Sequence, residues 1–272
     1  MIEKLKKKDS RIKIINNNKN MGTLYSRCIG AMTAKGAYIF SLDDDDLFFN
    51  NDIFEYIYNS AEDGKFDIIS FKSIYTKNYR NNISKMYDNP FSHHPNNLTL
   101  FQPELSNYPL KKNKKYIYND IHIWAKSIKN ELYKKAVNLL GKKRFSIFMS
   151  WAEDTSMIFI IFNIAKSYKF VDKYGVIHLN SHITSSFTQP KDNKIFGEIY
   201  LLDIIFDFSK NNSNKNLAVD YALFIERLYK YNKFKKDKNS YYLKFILQKI
   251  INCKFISKQN KLKIEKKFKN FF

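Results

Sequence analysis

The stretch Ala37-Tyr38-Ile39-Phe40-Ser41-Leu42-Asp43-Asp44-Asp45-Asp46 decides the fold, because an apolar run leads directly into four consecutive carboxylates. An apolar run of this length is typical of a strand buried inside a parallel sheet, and ligands of open α/β sheets bind where such strands end. Four adjacent carboxylates repel one another, so one interpretation of the cluster is a site for Mg²⁺ or Mn²⁺, cations that prefer oxygen ligands. The other is a solvated acidic turn before a helix, whose N-terminus also favours negative charge.

The segments on either side of this stretch are predicted to alternate between strand and helix. Upstream we expect a strand at 11–15 and a helix at 21–34, and downstream a helix at 52–61 and a buried strand at 66–71. Alternation in such short order is typical of an α/β fold with a doubly wound, mostly parallel sheet flanked by helices. The stretch 76–115 is rich in Asn, Lys and Pro, and it is predicted to be an irregular insertion.

The second half of the chain is predicted to continue the alternation and then to become wholly helical. The expected elements are a strand at 123–128, a helix at 130–140 that Asn130 caps and Gly141 closes, an apolar helix at 156–165 and a strand at 169–177. Beyond residue 193 the pattern is helical, with the Lys-rich stretch 230–238 as a linker. We therefore expect an α/β domain over residues 1–190 and a helical C-terminal region over residues 191–272.

The chain is strongly basic, with a formal net charge of +21 and a pI near 9.6. Such a charge favours an anionic partner, and a basic nucleic-acid-binding protein is an alternative that predicts tight, salt-sensitive binding to duplex or single-stranded nucleic acid. Arginine, whose forked guanidinium reads bases and phosphates, occurs at five positions, and the lysines are spread evenly along the chain. The even spread indicates a compositional bias of the source genome, so we expect no nucleic-acid partner.

Cysteine content and hydropathy indicate the compartment. Cys28 and Cys253 lie far apart and fit neither a disulfide framework nor a zinc site, which favours a reducing environment. No run approaches the ~18 apolar residues of a membrane span, and the N-terminus has no apolar signal core. We expect a cytoplasmic protein.

The C-terminal segments 241–251 and 262–272 are rich in lysine and aromatic residues. They either attach the protein to the inner face of the cell membrane or pack on the core, and we favour packing because any docked helix needs an apolar stripe.

Other candidate site residues lie outside the acidic stretch. Glu153 and Asp154 form an acidic pair at the start of the apolar helix, which either has a catalytic role or simply compensates the helix dipole. His178 and His182 follow a predicted strand and are either metal or phosphate contacts or structural residues. Arg27 either binds a phosphate or pairs with an aspartate of the acidic stretch, Asp43 or Asp46.

An ordered series of motifs resembles family 2 glycosyltransferases with the GT-A fold. The residues that carry this resemblance are Asn20-Met21-Gly22, Arg27, Gly30, Ala34-Lys35-Gly36, Tyr38-Ile39 and Leu42-Asp43-Asp44-Asp45-Asp46. The resemblance extends over about residues 10–190, since the Glu153-Asp154 pair also occurs at the family's position in chain order. Cys28 departs from the family pattern, which has Asn beside the Arg, and we expect this to alter packing rather than chemistry.

The resemblance implies a site and an activity. Asp43 and Asp45 match the Asp-x-Asp positions that contact the sugar nucleotide and a divalent metal, Mn²⁺ or Mg²⁺, and Asp154 matches the general base. The implied assignments are donor binding by Asp43, Asp44 and Arg27, and metal binding by Asp45, Asp43 and His178. The implied reaction is an inverting transfer from a nucleotide-sugar donor, expected to be UDP-linked, to a hydroxyl of a glycan or lipid-linked acceptor in surface polysaccharide biosynthesis.

One part of the family pattern is not found in this sequence. The strand, Pro-containing turn, helix and Asp-Asp-Gly-Ser-like motif with which such domains begin have no counterpart before residue 20. We therefore expect the domain to be N-terminally incomplete, by about one βαβ unit. A further alternative follows from this, an inactive truncated remnant that acts only in association with a partner.

Overall fold

The structure is a computed structural model with an α/β fold. It describes residues 2–62, 64–76, 87–88, 94, 98–108, 121–179, 191–209, 217–232, 238–254 and 256–269. The helices are α1 (Ile2–Lys8), α2 (Thr23–Thr33), α3 (Ile53–Ser60), α4 (Glu104–Asn107), α5 (Asn130–Leu140), α6 (Lys142–Phe145), α7 (Glu153–Ile164), α8 (Lys191–Ser209), α9 (Leu217–Asn232), α10 (Lys238–Ile251) and α11 (Lys258–Lys267). The strands are β1 (Tyr38–Phe40), β2 (Leu47–Phe48), β3 (Ile68–Thr76), β4 (Tyr87–Asp88), β5 (Thr99–Phe101), β6 (Lys126–Lys129) and β7 (Ser167–Leu179).

The strands form a mixed sheet in the order β1-β6-β3-β7-β2, with β4 added to β3 and β5 added to β7. Of the six pairings in the described ranges, β3 with β7 is the parallel one. The prediction of a mostly parallel sheet is therefore wrong in strand direction, although the α/β class is confirmed. The predicted β1-α3-β3 unit does exist, because β1 and β3 both run antiparallel to β6. The later strand β6 lies between them, and local alternation carries no information about such an insertion.

Two local predictions also need correction. Residues 12–17 contain no strand, so the strand predicted at 11–15 is not formed. Asn130 does not cap α5 with its side chain. It donates hydrogen bonds from Nδ2 to the carbonyl oxygens of Ala34 (3.2 Å) and Gly36 (2.5 Å), and thereby joins the start of α5 to the turn between α2 and β1. Gly141 ends α5 as predicted, with φ 79°.

The predicted irregular insertion at 76–115 is more ordered than expected where the structure describes it. The strand β3 extends to Thr76, and β4, β5 and the short helix α4 lie within the range. The remainder of this prediction, like the central part of the Lys-rich linker at 230–238, falls outside the described residues.

One large hydrophobic core connects the sheet to the C-terminal helices. The helix α7 lies at its centre, where Ile158–Phe162 is fully buried, because this helix is apolar on all sides. α7 packs against both α5 and α8. A smaller core between α3 and the sheet contains Ile53, Ile57 and Phe71. In the part of the chain that the structure describes, no helix combines the length and the apolar character needed to cross a membrane.

Candidate active site

The four aspartates form a tight turn between β1 and β2. The backbone N–H of Asp46 donates to the carbonyl of Asp43 at 3.1 Å, which closes the turn. Asp46 is buried, Asp43 and Asp45 are half-buried, and Asp44 is exposed. Burial raises the pKa of Asp45, and the neighbouring charges of Asp46, Asp43 and Asp44 raise it further. The turn therefore concentrates negative charge that its own residues do not neutralise.

Helix α2 places the positively charged side chain of Arg27 at this turn. The helix begins after Gly22, whose φ of 84° favours glycine and whose N–H donates to Asn20 Oδ1 at 3.0 Å. Leu24 and Cys28 are buried on the inner face of α2, and Arg27 lies beside them with 15% of its side chain exposed. The Asn20-Met21-Gly22 motif thus sets where α2 starts and, through that, where Arg27 points.

Arg27 joins the two acidic motifs that lie far apart in sequence. Its Nη2 donates to Asp43 Oδ1 at 2.5 Å, and its Nη1 donates to Asp154 Oδ1. Burial alone would lower the Arg27 pKa, but the charges of Asp154 and Asp43 raise it overall. The prediction that Arg27 pairs with Asp43 is confirmed, whereas its predicted contact with a phosphate remains a prediction.

The acid pair opens α7 in the first helical turn. Asp154 has 19% of its side chain exposed, and its Oδ2 accepts a long contact of 3.5 Å from the Ile123 N–H. Burial raises the pKa of Asp154 although the Arg27 charge opposes the rise. Burial and the charge of Asp154 raise the pKa of Glu153 to about 7. A carboxylate with a raised pKa that stays reachable from solvent is suited to accept a proton near neutral pH.

His178 lies at the end of β7 and faces the acidic turn. Its Nδ1 contacts Asp46 Oδ1 at 2.8 Å, and its ring stacks on Trp124 with centroids 5.0 Å apart. Burial by itself would lower the His178 pKa, but the hydrogen bond to Asp46 and the charges of Asp46, Asp43 and Asp45 raise it overall. The structure therefore pairs His178 with the buried member of the aspartate cluster, and its role as a metal ligand remains a prediction. His182 lies outside the described residues.

The described part of the chain does not supply a complete set of metal ligands by itself. Among the described residues, no group of three or more His, Cys, Asp and Glu side chains is arranged to hold a metal ion. Asp43 is engaged by Arg27 and Asp46 by His178. A metal at the turn would therefore need ligands beyond those that the described residues supply, such as a bound substrate or water.

Two residues near Asp154 have no motif that could have identified them. Lys126 on β6 is fully buried, donates to the His122 carbonyl, and adds a positive charge that lowers the Asp154 pKa. Glu198 on α8 accepts a hydrogen bond from the indole of Trp151. Lysine is too frequent in this chain for Lys126 to stand out, and Glu198 lies 47 residues from its partner.

Comparisons with solved structures agree with this fold. The crystal structure of S. aureus TarS residues 1–349 in complex with UDP-GlcNAc is similar, with a TM-score of 0.60 and 15% identity over 95% of this chain and 69% of that chain. A further crystal structure of S. aureus TarS gives a TM-score of 0.59 and 14% identity over 99% of this chain and 45% of that chain. At such identities the likeness shows the fold.

The sequence comparisons identify the family. No curated protein sequence matches the chain at a significant level. Residues 1–136, half of the 272 residues, match the sequence profile described as Glycosyl transferase family 2. That range contains the motifs from Asn20 to Asp46, including Arg27 and Asp43, which are in contact in the structure. The chain therefore belongs to glycosyl transferase family 2, and it is a glycosyltransferase with the GT-A fold.

Proposed function

We propose that the protein transfers a sugar from a UDP-linked donor, with inversion, to a hydroxyl of a glycan or lipid-linked acceptor in surface polysaccharide biosynthesis. The observation that carries the proposal is the double contact of Arg27, which ties the donor-side acid Asp43 to the candidate base Asp154. Two carboxylates held by one guanidinium have a defined separation, and an inverting transfer needs its base and its departing group held in such fixed geometry.

The chain's own residues have separate tasks in this reaction. Asp154 accepts the proton of the acceptor hydroxyl while that oxygen forms a bond to the anomeric carbon. The bond from the anomeric carbon to the diphosphate breaks on the opposite face, and its electron pair leaves with UDP. Arg27 keeps Asp154 oriented, and its charge offsets part of the negative charge at the turn.

The acidic turn fits a divalent cation only when a substrate shares in binding it. Asp45 and Asp43 would hold Mn²⁺ or Mg²⁺, Asp44 and Arg27 would contact the donor, and His178 is a further candidate ligand. Mg²⁺ is usually bound by one or two carboxylates together with substrate phosphates, which agrees with the incomplete ligand set among the residues that the structure describes. When bound, the cation would neutralise charge on the departing diphosphate.

We also propose the donor type, the domain boundaries and the compartment of the protein. The bound UDP-GlcNAc in the similar TarS structure supports a UDP-linked donor here. We assign residues 1–190 to the catalytic domain and 191–272 to a helical region. We further propose a cytoplasmic location, with the acceptor reached at the inner face of the cell membrane. Exposed Tyr241 and Phe245 on α10 support contact with that face.

The test compares matched Asp→Asn variants by the release of UDP from UDP-GlcNAc in the presence of Mn²⁺. Asp154→Asn is expected to lower turnover by about 10²-fold or more. Asp220→Asn, a change at an exposed position on α9, is expected to leave turnover unchanged. Full turnover by Asp154→Asn would refute the assignment of the base. NMR of the product then tests inversion, since an α-linked donor must give a β-linked product.

A further inference from the structure

We infer that Glu198, on helix α8, is a positioning residue for the acid pair, which it controls through the indole of Trp151. The inference rests on the proposed function of Asp154, and it extends the active site into a helix outside the residues that match the family profile. We place Glu198 outside the reacting groups, and its effect is transmitted through Trp151 and the backbone of Ala152.

A buried hydrogen-bond chain connects two C-terminal helices to the segment before α7. The Trp151 Nε1–H donates to Glu198 Oε1 at 2.7 Å, and the hydroxyl of Tyr221 on α9 donates to Glu198 Oε2. Glu198 is 5% exposed, and Tyr221 is fully buried. A carboxylate in such a place is retained only when both of its oxygens have donors, since a buried charge without partners is strongly destabilising.

Two further contacts bring α8 close to Trp151. Gly197 on α8 lies against the backbone of Trp151. A Cβ added at Gly197 would lie 2.2 Å from the Trp151 carbonyl oxygen. The Nζ of Lys194 lies 4.9 Å from the centre of the Trp151 ring, within the range of a cation–π contact. Trp151 therefore contacts one turn of α8 through its indole N–H, its ring face and its backbone carbonyl.

The residue between Trp151 and the acid pair has an unusual backbone conformation. Ala152 has φ 60° and ψ 12°, the left-handed region, which costs a non-glycine residue roughly 1 kcal/mol. The Ala152 carbonyl accepts from Ser156 Oγ at 2.8 Å and so helps to start α7. A conformation of this kind persists only when its surroundings impose it, and the Trp151 contacts with α8 impose it from one side.

The direction of Glu153 and Asp154 follows from this conformation. If Trp151 were released, Ala152 could relax to an ordinary φ, and the first turn of α7 would rotate the two carboxylates relative to Arg27. A displacement of about 1 Å at a base costs on the order of 10²-fold in rate. Glu198 thus affects the turnover number rather than donor binding, because the proposed donor contacts lie at the acidic turn, which Arg27 contacts through a different nitrogen from the one that holds Asp154.

The test measures turnover and donor KM for four variants, with UDP-GlcNAc and Mn²⁺ as the probe. Glu198→Ala is expected to lower kcat by about 10- to 100-fold with donor KM changed less than about 3-fold. Glu198→Gln keeps an oxygen for the indole, and the Tyr221 hydroxyl can accept from its amide, so most of the activity should return. Trp151→Phe keeps an aromatic ring but removes the indole donor and part of the ring, and it should resemble Glu198→Ala. Asp203→Asn is the control, since it weakens another buried ion cluster of α8, formed with Arg144 and Lys249.

A second measurement needs no activity. The chain has two tryptophans, Trp124 and Trp151, so its ¹⁵N spectrum contains two indole N–H signals, and Trp151→Phe assigns them. The Trp151 signal should exchange slowly with solvent in the native protein and in Asp203→Asn, and quickly in Glu198→Ala.

The outcomes separate the proposals. If Glu198→Ala loses no more activity than Asp203→Asn, Glu198 has no positioning role. If Glu198→Ala and Asp203→Asn both fail to fold, the kcat of Trp151→Phe tests the inference instead. An unchanged kcat in Trp151→Phe overturns the inference. An active Asp154→Asn refutes the proposed base independently of all four variants.

Discussion

At the scale of single residues, the site depends on the shape of one guanidinium. Arg27 reaches Asp43 and Asp154 through two different nitrogens, Nη2 and Nη1. A lysine ammonium at the same position is a single point charge on a flexible stem, and it does not hold two carboxylates at a set separation. The pairing therefore requires arginine rather than a positive charge alone.

We predict that Arg27→Lys lowers turnover by about 10²-fold while the protein stays folded. The measurement is UDP release, with circular dichroism to verify folding. Arg11→Lys is the matched control, because Arg11 pairs with Asp9 at the surface with 89% of its side chain exposed. Equal activity of Arg27→Lys and Arg11→Lys would show that the bridge has no role in the reaction.

Glu153 gives a prediction for stability against pH. Its pKa of about 7 in the folded protein lies above the ordinary value of 4.5, so the folded state binds this proton more tightly than the unfolded state does. The cost of ionising Glu153 in the fold is absent below pH 4.5, grows between pH 4.5 and 7, and is complete above pH 7. Glu153→Gln should therefore stabilise the protein above pH 7 by at most about 3 kcal/mol, and should have no such effect at pH 4.

Urea denaturation at both pH values measures this difference. A gain in the free energy of unfolding that is the same at pH 4 and pH 8 would mean that the effect does not arise from Glu153 ionisation.

At the scale of elements, the contact of α8 with Trp151 can be tested against another helical glycine. Gly197 and Gly30 both lie inside helices, but a Cβ at Gly30 would meet nothing within 4 Å, whereas a Cβ at Gly197 would collide with a backbone carbonyl. We predict that Gly197→Ala destabilises the fold by about 1–3 kcal/mol. Gly30→Ala should stabilise it by about 0.5–1 kcal/mol, the ordinary effect in a helix.

Thermal melting of the two variants checks this prediction. Shifts of the same sign in both would contradict the close packing of α8 on Trp151.

The elements also show how far sequence reasoning reaches. α5 was predicted at 130–140 and is found there, since its apolar spacing and Gly141 are local signals. The relative directions of the strands could not be predicted, because the insertion of β6 between β1 and β3 depends on pairings between distant segments. In the site, the sequence indicates a pairing of Arg27 with Asp43, 16 residues away, as one of two alternatives, whereas the contact of Glu198 with Trp151 has no local signal.

At the scale of the whole molecule, the two sequence regions share one interior. The larger core contains side chains from Leu24 in α2 to Phe268 beyond α11. An ion cluster of Arg144, Asp203, Asp207 and Lys249 also joins α6, α8 and α10. A boundary near residue 190 therefore separates stretches of sequence without separating hydrophobic cores.

We predict that the chain unfolds in a single cooperative transition. Unfolding curves from far-ultraviolet circular dichroism and from tryptophan fluorescence should coincide, and a chain cut after residue 190 should not fold, because the buried face of α7 would be exposed. Two separate transitions, or a folded 1–190 fragment, would contradict a shared core.

The burial of Cys28 makes the alkylation rate of its thiol a measure of local opening of the fold. This thiol is completely enclosed next to Arg27, and burial raises its pKa to about 12, so an alkylating reagent should modify it only during moments when α2 detaches. Cys253 is half-exposed and should be modified first, as an internal reference. The rate of Cys28 alkylation would therefore measure how often α2, which carries Arg27, detaches from the core. A bound sugar nucleotide should slow this alkylation.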